Sequence, residues 1–334
     1  MEWALDGLGV LRRLVEDELG AGMRGRDLLS PLDLSRAETE RVLELGHRLK
    51  ALQRAGVRIA PLAGRSLALI FQKPSTRTRV SFDVAMAQLG GHALTLNAHE
   101  LQLGRGETIE DTGRVLSRYV DAIMIRTYAH QDVEALARAA SVPVINGLTD
   151  YLHPVQALAD FMTIQERLGR LAGVRLAYVG DGNNVARALM WGGARLGMHV
   201  VVASPPGYQL EEDAVALARI EAEASGGSVE LTDDPHRAVR GADVIYTDVW
   251  ASMGQEAEHE RRVKDLAAYR VDARLVAEAA PHVLVMHCLP AHRGEEVAAS
   301  VVDGPQSRVI PQAHNRVHAF RGLLRWLLGE GVGA

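Results

Sequence analysis

The chain has 334 residues, a length that suggests two domains, and its 47% hydrophobic and 24% charged residues supply ample apolar material for sizeable cores. A formal charge of -5 without a long basic run, together with 4% aromatic residues, argues against a nucleic-acid or membrane-surface partner and against base stacking. Cys288 is the one cysteine, which excludes an intrachain disulfide and suits a reducing, cytoplasmic setting.

Residues 1–20 carry Glu2 and Asp6 and are too short and polar to span a membrane, so they read as an extra amphipathic helix rather than a signal peptide. Ser35-Arg-Ala-Glu38 is a capping-box pattern that opens a helix over about 36–54. Apolar runs at 66–71, 92–96, 121–126 and 142–146 predict strands, with helical patterns among them. A long helical pattern at 154–168 leads into a second series of strands at 174–179, 199–203, 229–231, 244–247 and 283–287. The last helix, 316–328, sets Val317, Phe320, Leu324 and Leu327 on one face. The alternation predicts an α/β fold of two doubly wound parallel-sheet domains joined by helices. The expected domains are 1–152 and 153–312, with 313–334 as a C-terminal helix packing back on the first. Ligands are expected at strand C-termini.

Phe71-Gln-Lys-Pro-Ser75-Thr76-Arg77-Thr78-Arg79 follows a strand and opens a helix. Unpaired N–H groups and the macrodipole favour an anion there, and three hydroxyls and two arginines add donors. An ordinary Ser/Thr cap with solvated arginines is the plainer alternative. The glycine-rich Walker pattern is absent. Further along stand Leu101-Gln102-Leu-Gly-Arg-Gly-Glu107, Met124-Ile-Arg126-Thr127 and His153-Pro154-Val-Gln156. Then come Val179-Gly180-Asp181-Gly182-Asn183-Asn184, Thr247-Asp248-Val-Trp250-Ala-Ser252-Met253-Gly254, His287-Cys288-Leu289-Pro290 and Asn315-Arg316. The 179–184 segment hints at a dinucleotide site, but the third glycine of that pattern falls on Val185 and no acid ends the next strand. A zinc site at His287, Cys288 and His292 is disfavoured by the single thiol and by the opposite facing of adjacent strand residues.

Over roughly residues 28–328 these segments resemble, in order, the aspartate and ornithine carbamoyltransferases. The resemblance implies carbamoyl-phosphate contacts from Ser75, Thr76, Arg77, Thr78, Gln102, Arg126, His153, Gln156, Cys288, Leu289 and Arg316. Arg126, His153, Thr78 and Cys288 would be the catalytic residues. The ornithine branch is implied by Asn184 for an α-carboxylate, Asp248 for an α-ammonium, and Ser252 and Met253 closing over them. It further implies transfer to the δ-amine of L-ornithine with no metal or organic cofactor. A homotrimer is implied too, in which Gln102 reaches a neighbouring site. The family's acidic residue before Asn-Arg is His314 in this chain. Competing readings are the same transfer to putrescine or an N-acylated ornithine, a nicotinamide-dependent oxidoreductase, and a non-catalytic binding protein.

Overall fold

The computed structural model describes residues 26–97, 101–103, 106–251 and 256–329. The chain divides into two compact units: one holds 37–149 with the stretches up to Leu29 and from Val317, the other holds 30–36 and 150–316. The expected helix over 1–20 lies outside the described residues.

The first unit contains α1 (Arg36–Arg54), β1 (Ser66–Phe71), α2 (Thr76–Gln88), β2 (His92–Asn97), α3 (Ile109–Leu116), β3 (Ala122–Arg126), α4 (His130–Ala139) and β4 (Val144–Leu148). Its four strands are parallel in the order β2-β1-β3-β4. β1, β3 and β4 read as apolar runs because helices cover both faces of such a sheet. One face buries Ala68, Ile70, Ile123 and Ile125 against Val133 and Leu136 of α4. The fourth strand runs two residues later than its apolar pattern suggests. The register shifts between Ile125 and Arg126, leaving Gly147 as the extra residue. A Cβ on Gly147 would meet Met124 Sδ at 2.3 Å and Ile125 O at 3.1 Å, so a larger residue at the bulge would force the Met124 side chain to shift.

The second unit contains α5 (Pro154–Leu168), β5 (Arg175–Val179), α6 (Asn184–Arg195), β6 (His199–Ala203), α7 (Glu212–Ser225), β7 (Ser228–Thr232), α8 (Pro235–Val239), β8 (Val244–Thr247), α9 (His259–Asp265), α10 (Ala273–Ala277), β9 (Leu284–His287) and α11 (Ala299–Val302). Its five strands are parallel in the order β7-β6-β5-β8-β9. Trp250, Tyr269, Leu266 and Val285 anchor the core on one sheet face.

The last helix, α12 (Val309–Leu328), starts two turns before the predicted residue 316. Pro311 sits in its first turn, where no intrahelical N–H is lost. Gln312, Asn315 and Arg316 are buried polar residues, which hid this part of the helix from an apolar periodicity. Farther along, Phe320 stacks on Phe82 with centroids 4.1 Å apart, and Gly322 lies so close to α1 that a Cβ would meet Val42 O at 2.3 Å.

Both sheets change direction at one point. In the first, β1 connects outward to β2 and β3 outward to β4, so the reversal falls between β1 and β3. In the second it falls between β5 and β8. Loops leaving the C-terminal ends of such strand pairs diverge and leave a crevice for ligands.

Candidate active site

The first crevice is flanked by residues 72–75 after β1 and by Arg126 at the end of β3. Arg126 O accepts the N–H of Gln72 at 2.9 Å, which ties the turn into α2 to the end of the neighbouring strand. Ser75 is the N-cap of α2, with Oγ accepting Thr78 N–H at 3.1 Å. The capping role weighed for this serine is therefore real. It uses one lone pair and leaves the hydroxyl proton to donate. The first turn of α2 holds no acidic residue that would offset the positive end of its macrodipole. Thr78 and Arg126 are buried, Arg77 is half-buried, and Thr76 is exposed.

Lys73, buried in the same turn with Nζ 4.7 Å from the centre of the Tyr128 ring, is a further cation that motif reading passed over. Its signal was its place two residues before the first hydroxyl. Thr127 hydrogen-bonds Gln72, closing the turn from the other side. Gln102, expected to face a neighbouring subunit, is exposed and is followed by a bridge between Leu103 and Glu107.

The second crevice is flanked by residues 180–184 after β5 and by Asp248 after β8. Gly180 leaves the strand at φ 136. Gly182 packs on the 208–210 backbone, where a Cβ would meet Tyr208 O at 2.7 Å. The protein's own chain thus occupies the space that a dinucleotide pyrophosphate needs over the second glycine of its motif. Asn183 caps α6, its Oδ1 accepting Val185 N–H at 2.9 Å and Ala186 N–H at 3.1 Å. Its Nδ2 donates to Asp248 Oδ2 at 2.9 Å. Asn184, the residue assigned to substrate, is the first residue of α6 and half-buried.

Asp248 is buried, and its Oδ1 accepts the Cys288 thiol at 2.9 Å. Burial, with Asp248 alongside, pushes the Cys288 thiol well above its ordinary range and keeps it a donor. His287 Nδ1 accepts Leu289 N–H at 2.8 Å while Nε2 stands 3.1 Å from Glu296 Oε1, which fixes the Nε2–H tautomer. Among the described residues Leu289 is the one non-glycine at positive φ, 62°. The opposite facing expected of His287 and Cys288 does not hold them apart. Their ligand atoms and that of Asp248 lie within 4.8 Å of one another, because Cys288 is already past the end of β9. His292 belongs to a different cluster.

His153 precedes Pro154 at the start of α5, is buried, and makes no side-chain cap to its helix. Gln156 Oε1 accepts a hydrogen bond from Arg316, and its Nε2 donates to Asp160 Oδ1 at 2.7 Å. Gln312 donates to the same oxygen at 2.7 Å and accepts His287 N–H at 3.0 Å. A buried chain of amides thereby links Arg316 and Gln156 to the strand end that carries Cys288. Desolvation raises the Asp160 carboxyl to about 7. Asp160 lies one helical turn from Gln156, and that spacing was its only signal in the sequence. His314 is exposed, so the family's usual acid is replaced on the outer face of α12, away from buried Asn315 and Arg316. Ser252, Met253 and Gly254 lie outside the described residues.

Residues 26–166 match the aspartate/ornithine carbamoyltransferase carbamoyl-P binding domain, and residues 172–327 match the Asp/Orn binding domain of the same family. An ornithine carbamoyltransferase of Symbiobacterium thermophilum is 58% identical over 306 residues, 92% of this chain and 99% of the relative. A relative from Pyrococcus furiosus named as the anabolic ornithine carbamoyltransferase is 58% identical over 307 residues, 92% of this chain and 98% of its own. The solved ornithine carbamoyltransferase from P. furiosus superposes with a TM-score of 0.90 at 57% identity, covering 92% of this chain and 98% of that one. The enzyme from Thermus thermophilus gives 0.80 at 40% identity, with 90% and 98% covered. With the two switch-point loops, both domain matches and relatives of this identity over nearly their whole length, the chain belongs to the aspartate/ornithine carbamoyltransferase family.

Proposed function

We propose that the chain transfers the carbamoyl group of carbamoyl phosphate to the δ-amine of L-ornithine, giving L-citrulline and phosphate. The observation that carries this reading is Asp248, a buried carboxylate oriented by Asn183 and Cys288 at the second switch point. A buried anion beside a helix start suits the α-ammonium and α-carboxylate of a free amino acid. Aspartate as acceptor would instead need cations for a second carboxylate. Putrescine has neither α-group, and an N-acylated ornithine lacks the α-ammonium. The names of the relatives agree with ornithine.

In this scheme the start of α2 with Ser75, Thr76 and Arg77 holds the phosphate, and Gln156, Leu289 and Arg316 help seat the carbamoyl phosphate. The neutral δ-amine attacks the carbamoyl carbon. Negative charge gathers on the carbonyl oxygen, where Thr78, Arg126 and His153 donate. The C–O bond to phosphate breaks, and the proton that the amine loses passes to the departing phosphate, which leaves as the hydrogen phosphate dianion. Asp248 and Asn184 hold the α-groups, with Ser252 and Met253 closing over them. Cys288 donates to Asp248 and borders the carbamoyl group. Positioning of two bound reactants supplies much of the acceleration. The scheme uses no metal or organic cofactor.

We also place the reaction in arginine and citrulline metabolism and the protein in the cytoplasm, the latter in keeping with a single cysteine. No helix among the described residues is long and apolar enough to cross a membrane. A homotrimer or a multiple of trimers, with Gln102 reaching the neighbouring site, completes the reading. The test is a citrulline assay with carbamoyl phosphate, comparing ornithine, putrescine, N-acetylornithine and aspartate. Preference for ornithine supports the scheme. Preference for another amine overturns the acceptor assignment, and turnover of none overturns the reaction.

A further inference from the structure

Apart from the residues assigned to substrate, the second unit gathers two imidazoles and a carboxylate at one point. His259, the first residue of α9, brings Nε2 to 3.0 Å from Glu295 Oε2, and His292 Nδ1 lies 3.6 Å from the same oxygen. The ligand atoms of the three residues lie within 4.8 Å of one another. His292 Nδ1 is itself buried and makes no hydrogen bond, since 3.6 Å is beyond reach. A buried imidazole nitrogen facing a carboxylate oxygen with no proton shared between them calls for an explanation.

A cation between them supplies one. Zinc bound by imidazole and carboxylate at about 2.1 Å in tetrahedral geometry places its ligand atoms about 3.4 Å apart. The separations of 3.0 and 3.6 Å bracket that value. The donor set suits zinc and its neighbours better than calcium or magnesium, which prefer oxygen ligands. The carrier is firm. Glu295 N–H donates to His292 O at 2.9 Å, and Arg270 Nε donates to Glu295 O at 3.0 Å. Both imidazoles keep about 40% of their side-chain surface open, so an ion can enter.

We propose that His259, His292 and Glu295 bind one divalent transition-metal cation of the zinc class, with water as the fourth ligand. The ion clips the start of α9 to the turn at 292–295. His259 follows the 252–255 stretch and His292 follows Leu289, so the clip joins the two chain segments that leave the acceptor-side motifs.

The second donor group, Asp248, His287 and Cys288, also lies within 4.8 Å, so the test uses the full chain carrying Cys288→Ser. The chain is stripped with chelator and titrated with Zn²⁺ by calorimetry and with Co²⁺ by absorbance. One ion per chain is expected, with the visible absorption of a tetrahedral Co²⁺ site and a thermal midpoint raised by Zn²⁺. Adding His259→Ala, or separately Glu295→Gln, weakens affinity at least about tenfold, since loss of a supporting contact alone costs that much. Both side chains are half-exposed, and the midpoint in chelator serves as the folding control. Absence of binding by the Cys288→Ser chain, or affinity unchanged by either further substitution, overturns the proposal.

Discussion

Asn183 serves two masters at the second switch point: its Oδ1 caps α6 while its Nδ2 donates to Asp248 Oδ2 at 2.9 Å. The orientation of the carboxylate is thereby tied to the start of the helix. Serine at this position keeps the cap and loses the Nδ2 contact, whereas alanine loses both. Asn183→Ala is expected to lower stability by about 1 kcal/mol, and Asn183→Ser by much less. Both should raise KM for ornithine on the order of tenfold, the worth of one hydrogen bond to a charged group. Denaturant midpoints and acceptor kinetics on the two variants check this. A KM that follows stability instead of the lost contact removes Asn183 from the acceptor site.

The Cys288 thiol makes a second case. Burial and Asp248 push its pKa well up, and it donates to that carboxylate at 2.9 Å. A thiol so held is a poor nucleophile, because the thiolate is the reactive form. Alkylation of the native chain by iodoacetamide at pH 8 is expected to be slower by orders of magnitude than in denaturant. Rapid labelling of the folded chain would show that the thiol is ionised and that the Asp248 contact is not a hydrogen bond.

What the sequence made legible, and what it did not, follows from where each signal resides. β1, β6 and β8 match their apolar runs residue for residue, since a strand covered on both faces must be apolar throughout. β4 runs two residues later than its apolar run and shifts register at Gly147, because pairing with β3 is a long-range property that the local apolar pattern does not report. The loops after β1 and β5 were legible as strand-to-helix turns and the segment after β8 as a strand-terminal turn, all rich in hydroxyls, amides or acids. That they occupy the two switch points was not, because strand order is a long-range property. The Gln156–Asp160–Gln312 relay spans 152 residues between Asp160 and Gln312, and no local pattern reports it.

Asp160 gives a prediction with a definite sign. Its carboxyl is raised from 3.8 to about 7 by desolvation. Between those values the folded chain keeps a proton that the unfolded chain has lost, so stability from this group falls as pH rises through that window. Asparagine is neutral throughout and retains one oxygen for the Gln156 and Gln312 donors. The thermal midpoint of Asp160→Asn relative to the parent is therefore expected to climb from pH 4 to pH 7 and level off above. Asp181, raised to about 6, contributes equally to both proteins and cancels. A difference independent of pH would mean that Asp160 is already ionised in the folded chain at acid pH.

The two arginines of the 75–79 segment separate phosphate binding from mere positive charge. Positions two apart on a helix do not share a face, and Arg77 is half-buried while Arg79 is exposed. If the start of α2 holds the phosphate, Arg77→Ala removes a charge-assisted contact to a leaving group whose charge grows in the transition state. Arg79→Ala removes only a solvated cation. The first is expected to lower kcat/KM for carbamoyl phosphate by roughly 100- to 1000-fold, the usual cost of one such donor. The second should stay within about threefold of the parent, because screening leaves a solvated surface charge little weight. Equal losses from both would assign the effect to the net charge of the helix, and no loss from Arg77→Ala would move the phosphate away from α2.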